Sequence, residues 1–151
     1  CHLAPLKTRR DIGMLGIIHR CALGYGPAHF KEFLKPSTEV QSRHTRLSHA
    51  RHRMQLSEYR GSQDFIQRSL LGLVAVYNLL PAFIVEGCPT VRKFQRSLQD
   101  LVKARVMSGC QDWEDSFSPR VPIGAHPLLR MLRKVSTPIS QTRGICTAGV
   151  S

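Results

Sequence analysis

Along "VRKFQRSLQDLVKARVM" the apolar residues Val91, Phe94, Leu98, Leu101, Val102 and Val106 fall at helical spacing. They predict an amphipathic helix over 90–107 with Arg92, Arg96 and Lys103 on its opposite side and Lys93 close by. Upstream, Ile12, Met14, Leu15, Ile17, Ile18, Cys21, Ala22 and Leu23 take up most directions of a helix over 8–23. They leave a narrow non-apolar stripe of Arg9, Gly13, Gly16 and Arg20, and a stripe with two glycines invites close approach of another backbone. Thr8 followed by Asp11 resembles a capping box at the start of this helix. Gly24, Gly26 and Pro27 end it and open a second, short helix over 27–34. An uncharged run then predicts a helix over 65–79 and, started by Pro81, a shorter one over 81–86.

Between these helices, residues 42–63 lack a dominant period. The segment reads as a basic arm or a short β-hairpin, with Leu47, Met54 and Leu56 available for a ribbon. After Gly109 the chain turns irregular, with a short helix near 128–135 and a polar, small-residue end expected to be disordered. The expected fold is mainly α: a small irregular helical domain over 1–109 with the arm between helices, followed by a tail over 110–151. At 151 residues one domain is the natural count. Cys1 in place of an initiator Met reads as a fragment of a longer frame.

Charge changes this picture more than composition does. Twenty-two Lys and Arg face ten Asp and Glu, for a formal net charge of +12, and sixteen of the cations are Arg. Arginine pairs bidentately with phosphate, so a polyanion is the expected partner, RNA or DNA above all. The candidate contacts are Arg43, Arg46, Arg51, Arg53 and Arg60 in the arm, with Arg92, Lys93, Arg96 and Lys103 on the amphipathic helix. A solvated basic surface or a face that meets an acidic protein is the alternative. The uncharged run 69–85 carries Asn78 and Pro81 and reads as buried core, so no membrane span is expected. Five widely spaced cysteines and an N-terminal stretch without signal-peptide features make an intracellular location, nuclear or cytoplasmic, the expectation.

Catalytic chemistry finds no footing. His44, His49 and His52 miss metal-ligand spacing and stand among arginines, so no metal or cofactor is expected. His19 lies in an apolar sector and reads as a hydrogen-bonded core histidine rather than a base for Cys21. Asp112, Glu114 and Asp115 read as a solvated acidic turn around Trp113, since no phosphate-cradling glycine loop accompanies them.

Two stretches carry a family likeness. "TRRDIGMLGIIHRCALGYGPAHFKEFL" (8–34) with "RSLLGLVAVYNLLPAFIVEGCPTVRKFQRSL" (68–98) resembles the C-terminal segment of non-LTR retrotransposon reverse transcriptases, the LINE or jockey-like group. Arg9, Arg10 and Asp11 match an Arg-Arg-Asp helix downstream of the polymerase core. Arg68, Ser69, Asn78, Leu80, Pro81, Val91 and Phe94 match a later Arg-Ser, Trp-Asn-x-Leu-Pro and Val-x-x-Phe-Lys pattern. Tyr77 stands where Trp is common, Leu79 where Ser is usual in "NSLP", and Gln95 where Lys follows. The resemblance implies a non-enzymatic helical extension that grips template RNA or target DNA; it contains no Tyr-x-Asp-Asp polymerase motif. It also implies, as alternatives, a packing module docked on the polymerase domain of the same polyprotein, or a pseudogene remnant.

Overall fold

Helix α1 (Leu6–Ala22) starts two residues ahead of Thr8. Pro5, at φ −51° and ψ 151°, supplies a preset entry, and no side chain caps the first turn. Thr8 instead is buried and turns its hydroxyl toward the carbonyl of Glu114, 106 residues away, at 3.5 Å. The capping box therefore does not form, because both of its members are needed inside the fold: Asp11 is buried as well.

The computed structural model describes residues 4–37, 52–59, 64 and 68–130. After α1 comes a 3₁₀ turn (Ala28–Glu32), which replaces the short α-helix expected over 27–34. Helix α2 (Leu73–Asn78) is shorter than the 65–79 stretch, of which 65–67 lie outside the described residues. Over 68–72 the backbone is irregular, and the Ser69 hydroxyl accepts from the Leu71 N–H at 3.2 Å in place of a helical carbonyl. Pro81 then opens α3 (Ala82–Val85), and Thr90 opens α4 (Val91–Met107). Two further 3₁₀ turns, Trp113–Asp115 and Ile123–Ala125, precede helical backbone over 127–130. The described residues are thus mainly helical, and the tail from 131 onward lies outside them.

Both long helices end the same way. Gly24 (φ 87°) and Gly109 (φ 72°) adopt the left-handed conformation that glycine reaches without strain. At the end of α1 the Gly24 N–H donates to Cys21 O and the Tyr25 N–H to Arg20 O; at the end of α4 Gly109 and Cys110 donate likewise to Val106 and Arg105.

Helices α1 and α4 form the frame. His19, near the end of α1, bonds Cys88 just ahead of α4, while Lys7, near the start of α1, meets Asp115 just after α4. The two therefore run antiparallel. Gly16 makes room for a side chain rather than for the backbone approach expected of the stripe: an added Cβ would meet the Gln95 side chain of α4. Gly13 faces open space. Ile12, Leu15 and Ile18 from α1 meet Leu73, Val76, Tyr77 and Leu80 from the α2 region, Phe94 and Leu98 from α4, and Phe117 and Leu128 from the segment beyond.

The described part of the arm, 52–59, is not a self-paired hairpin. It lies between two partners, since Leu56 makes an isolated antiparallel bridge to Pro36 and is held on its other side by Asn78. The Ser37 N–H donates to Gln55 O and the Ser57 N–H to Lys35 O, each at 2.8 Å. The Asn78 side chain acts as a neighbouring strand would: Oδ1 accepts from the Leu56 N–H at 2.9 Å, and Nδ2 donates to Leu56 O at 2.8 Å.

Candidate nucleic-acid interface

Three features fix the start of α4. Gly87, Cys88 and Pro89 break the preceding helix, and Thr90, in an extended conformation, accepts from the Lys93 N–H at 3.3 Å. Phe94, fully buried four residues after Thr90, then locks the helix to the core along with Leu98, Leu101 and Val102. Val106, expected on that apolar face, is exposed, because α4 outruns the core after Val102.

On the outer side Arg92, Lys93, Arg96 and Lys103 are all exposed. Their row spans roughly 16 Å of helix axis at 1.5 Å per residue. Lys103 is 3.6 Å from Asp100, whereas Arg92, Lys93 and Arg96 make no ion pair among the described residues. Asp100 therefore offsets one end of the row and leaves the other fully cationic. Such a pair between exposed groups contributes little to stability, and the row is held in place by packing behind it.

Arg53 is the one arm candidate within the described residues, and its backbone is tied to the loop ahead of this helix. His52 is buried with Nε2 2.9 Å from Tyr77 O, and the Arg53 N–H donates to Glu86 at 2.7 Å, in the loop that leads into α4. Arg43, Arg46, Arg51 and Arg60 lie outside the described residues. The antiparallel pairing adds Arg20, exposed at the end of α1, to the same end of the molecule. It was visible in the sequence only as a member of the non-apolar stripe.

Behind this surface the polar groups are committed to structure. His19 is fully buried and stacked on Phe94 at 4.1 Å, with Nε2 2.8 Å from Cys88 O and Nδ1 3.0 Å from the Tyr77 hydroxyl. A carbonyl can only accept, so Nε2 carries the proton and Nδ1 accepts from Tyr77. Burial lowers the His19 pKa from its ordinary value and raises that of Tyr77. With both ring nitrogens engaged, His19 does not serve Cys21, whose thiol burial pushes up in pKa, away from the reactive thiolate.

The acidic turn is more than a solvated surface feature. Asp112 pairs with Arg105 at 2.7 Å and lies 3.8 Å from Arg130, and Asp115 pairs with Lys7, so the acids clamp the far ends of α1 and α4. Asp11 is the exception. Its carboxylate is buried, both oxygens lack a hydrogen bond among the described residues, and the nearest cationic nitrogen, on Arg10, is 3.8 Å away. Burial raises its pKa, against the opposing pull of Arg10 and Lys7.

Comparison with family models, curated proteins and solved structures finds no match. Among the described residues no group of three His, Cys, Asp or Glu could hold a metal, and no helix is long and apolar enough to cross a membrane. An open cleft of about 350 Å³ between the arm and the 119–123 turn is lined by Glu58 and Arg120 along with apolar groups, so its wall is charge-balanced. At the start of α4, by contrast, Arg92, Lys93 and Arg96 stand together outside any ion pair among the described residues. Of the residues that carry the family resemblance, Asp11, Asn78, Leu80, Pro81 and Phe94 are buried, while Arg9, Arg10 and Arg68 are exposed. Half of the motif thus falls on packing positions.

Proposed function

We propose that this chain is a non-catalytic nucleic-acid-binding module, and that it belongs to the C-terminal part of a retroelement reverse transcriptase. Arg92, Lys93, Arg96 and Lys103 on α4, with Arg53, contact phosphates; the arm residues Arg43, Arg46, Arg51 and Arg60 add to the same function. The observation that carries the binding role is the row of exposed α4 cations, three of them free of ion pairs among the described residues, on a helix whose other face is locked into the core. The family assignment rests on the sequence resemblance. Phosphate contacts of this kind position a backbone without reading its sequence.

The test is the salt dependence of binding by the full chain to a labelled oligonucleotide. On a duplex each neutralised phosphate contributes about −0.9 to the slope of log K against log salt, so three give about −2.7, roughly a 40-fold loss between about 50 and about 200 mM salt. Combined replacement of Arg92, Lys93 and Arg96 by Ala should remove that much of the slope while leaving the circular dichroism spectrum intact. A wild-type affinity independent of salt refutes the proposal.

A second reading has its own support. At the opposite end from Arg20, Leu6 is 80% and Met107 89% exposed, an apolar surface suited to docking on a polymerase domain of the same polyprotein. Solubility gained only on co-expression with such a domain, without any effect of nucleic acid, favours it.

A further inference from the structure

We propose that the end of the molecule where α1 closes and α4 begins binds single-stranded nucleic acid, stacking bases on Tyr25 and Phe83 while Arg20, Arg53, Arg92 and Lys93 take the phosphates. This rests on the phosphate-binding reading of α4 and narrows its ligand. Tyr25 is 72% and Phe83 62% exposed, whereas Tyr77, Phe94 and Phe117 fill the core. Tyr25 and Phe83 are thus left outside the core, as are Phe33 and Tyr59 elsewhere along the chain.

Their placement follows from the connections already described. Tyr25 is tied to Arg20 twice: its N–H donates to Arg20 O at 3.0 Å, and Arg20 Nε donates to Tyr25 O at 3.1 Å. Arg20 directly follows His19, which bonds Cys88 in the loop between α3 and α4. Phe83 lies in α3, five residues before Cys88, and Glu86 of the same loop accepts from the Arg53 N–H. Both rings thus share one end of the helix pair with the cations.

The backbone next to each ring is closely packed. Gly26 packs so closely on Cys21 that a Cβ would strike the α1 backbone, and Gly87 abuts the Phe83 carbonyl. A ring on a rigid base loses little freedom when a nucleobase stacks on it. Exposed aromatics interleaved with cations are the arrangement that tracks a single strand without sequence preference, because every base has a π-face. A duplex keeps its base faces stacked inside and engages the cations alone.

Fluorescence anisotropy with labelled dT20 and U20, and with a dA20·dT20 duplex, separates the possibilities. The paired change Tyr25→Ala and Phe83→Ala should weaken dT20 and U20 binding by about 25-fold, from about 5-fold per stacked base. Duplex affinity and the salt slope should stay as they are. Tyr25→Leu with Phe83→Leu keeps apolar bulk without a stacking face and should show most of the same loss. If the double variants bind both single strands like the wild type while salt dependence persists, base stacking is refuted and phosphate binding survives. If no ligand binds in a salt-dependent way, both fail.

Discussion

Replacing Asn78 by Ala removes a side chain that stands in for a β-strand. Its amide satisfies both the N–H and the C=O of Leu56, at 2.9 and 2.8 Å, and Leu56 is buried. Leaving a buried polar group without its partner costs about 1–3 kcal/mol. Two such groups, with some relief from water entering a loosened segment, give a loss of about 2–4 kcal/mol. For a domain of this size that corresponds to a fall in Tm of roughly 4–16 °C. Asn78→Asp separates the two bonds: a carboxylate still accepts from the Leu56 N–H but confronts the Leu56 carbonyl, with Glu58 at 3.3 Å from Nδ2 adding like charge. It should cost more than Asn78→Ala. Thermal denaturation of the full chain followed by circular dichroism measures both, and limited trypsin digestion at Arg53 reports release of the arm. Tm values within about 1 °C of wild type for both variants, with Arg53 still protected, would overturn the account of how the arm is held.

Two further outcomes follow from the packing. Burial lowers the folded-state pKa of His19 and of His126, so each binds its proton more readily when unfolded; stability should be constant above their ordinary 6.5 and decline as pH falls below it. Asp11, raised from 3.8, acts in the opposite direction, so the drop in Tm as pH falls below 6.5 is the histidine contribution less that of Asp11. Gly13→Ala, on an open helical surface, should stabilise by about 0.5–1 kcal/mol, whereas Gly87→Ala should destabilise because its Cβ would fall against the Phe83 carbonyl; thermal melts of the two should move in opposite directions.

The amphipathic helix was legible because its information is local. A 3.6-residue period places Phe94, Leu98, Leu101 and Val102 inward and the cations outward, whatever they pack against. Where that helix leaves the core was not legible: Val106 continues the period but has nothing to cover it. Thr8 misled for a related reason, since its local capping signal lost to an interior position beside Glu114, a contact no nearby residue announces. The pairing of Asn78 with Leu56 likewise joins residues 22 apart through a side chain that periodicity treats as merely polar. Tyr25 and Phe83 escaped notice because hydropathy counts them with Phe94 and Phe117. Only the fold distinguishes the rings that found a pocket from those that did not.

The first turn of α4 contains no acidic residue, and Arg92 and Lys93 occupy it. The exposed N–H groups of a helix start already carry partial positive charge, so these two cations stand against the helix dipole, at roughly 0.3–1 kcal/mol each at low ionic strength. The Thr90 cap and the buried Phe94 hold that turn despite its electrostatics. Dissolved salt screens this repulsion and so favours the fold, while the same salt weakens any phosphate contact made there. Folding and binding at this helix therefore answer to ionic strength with opposite signs.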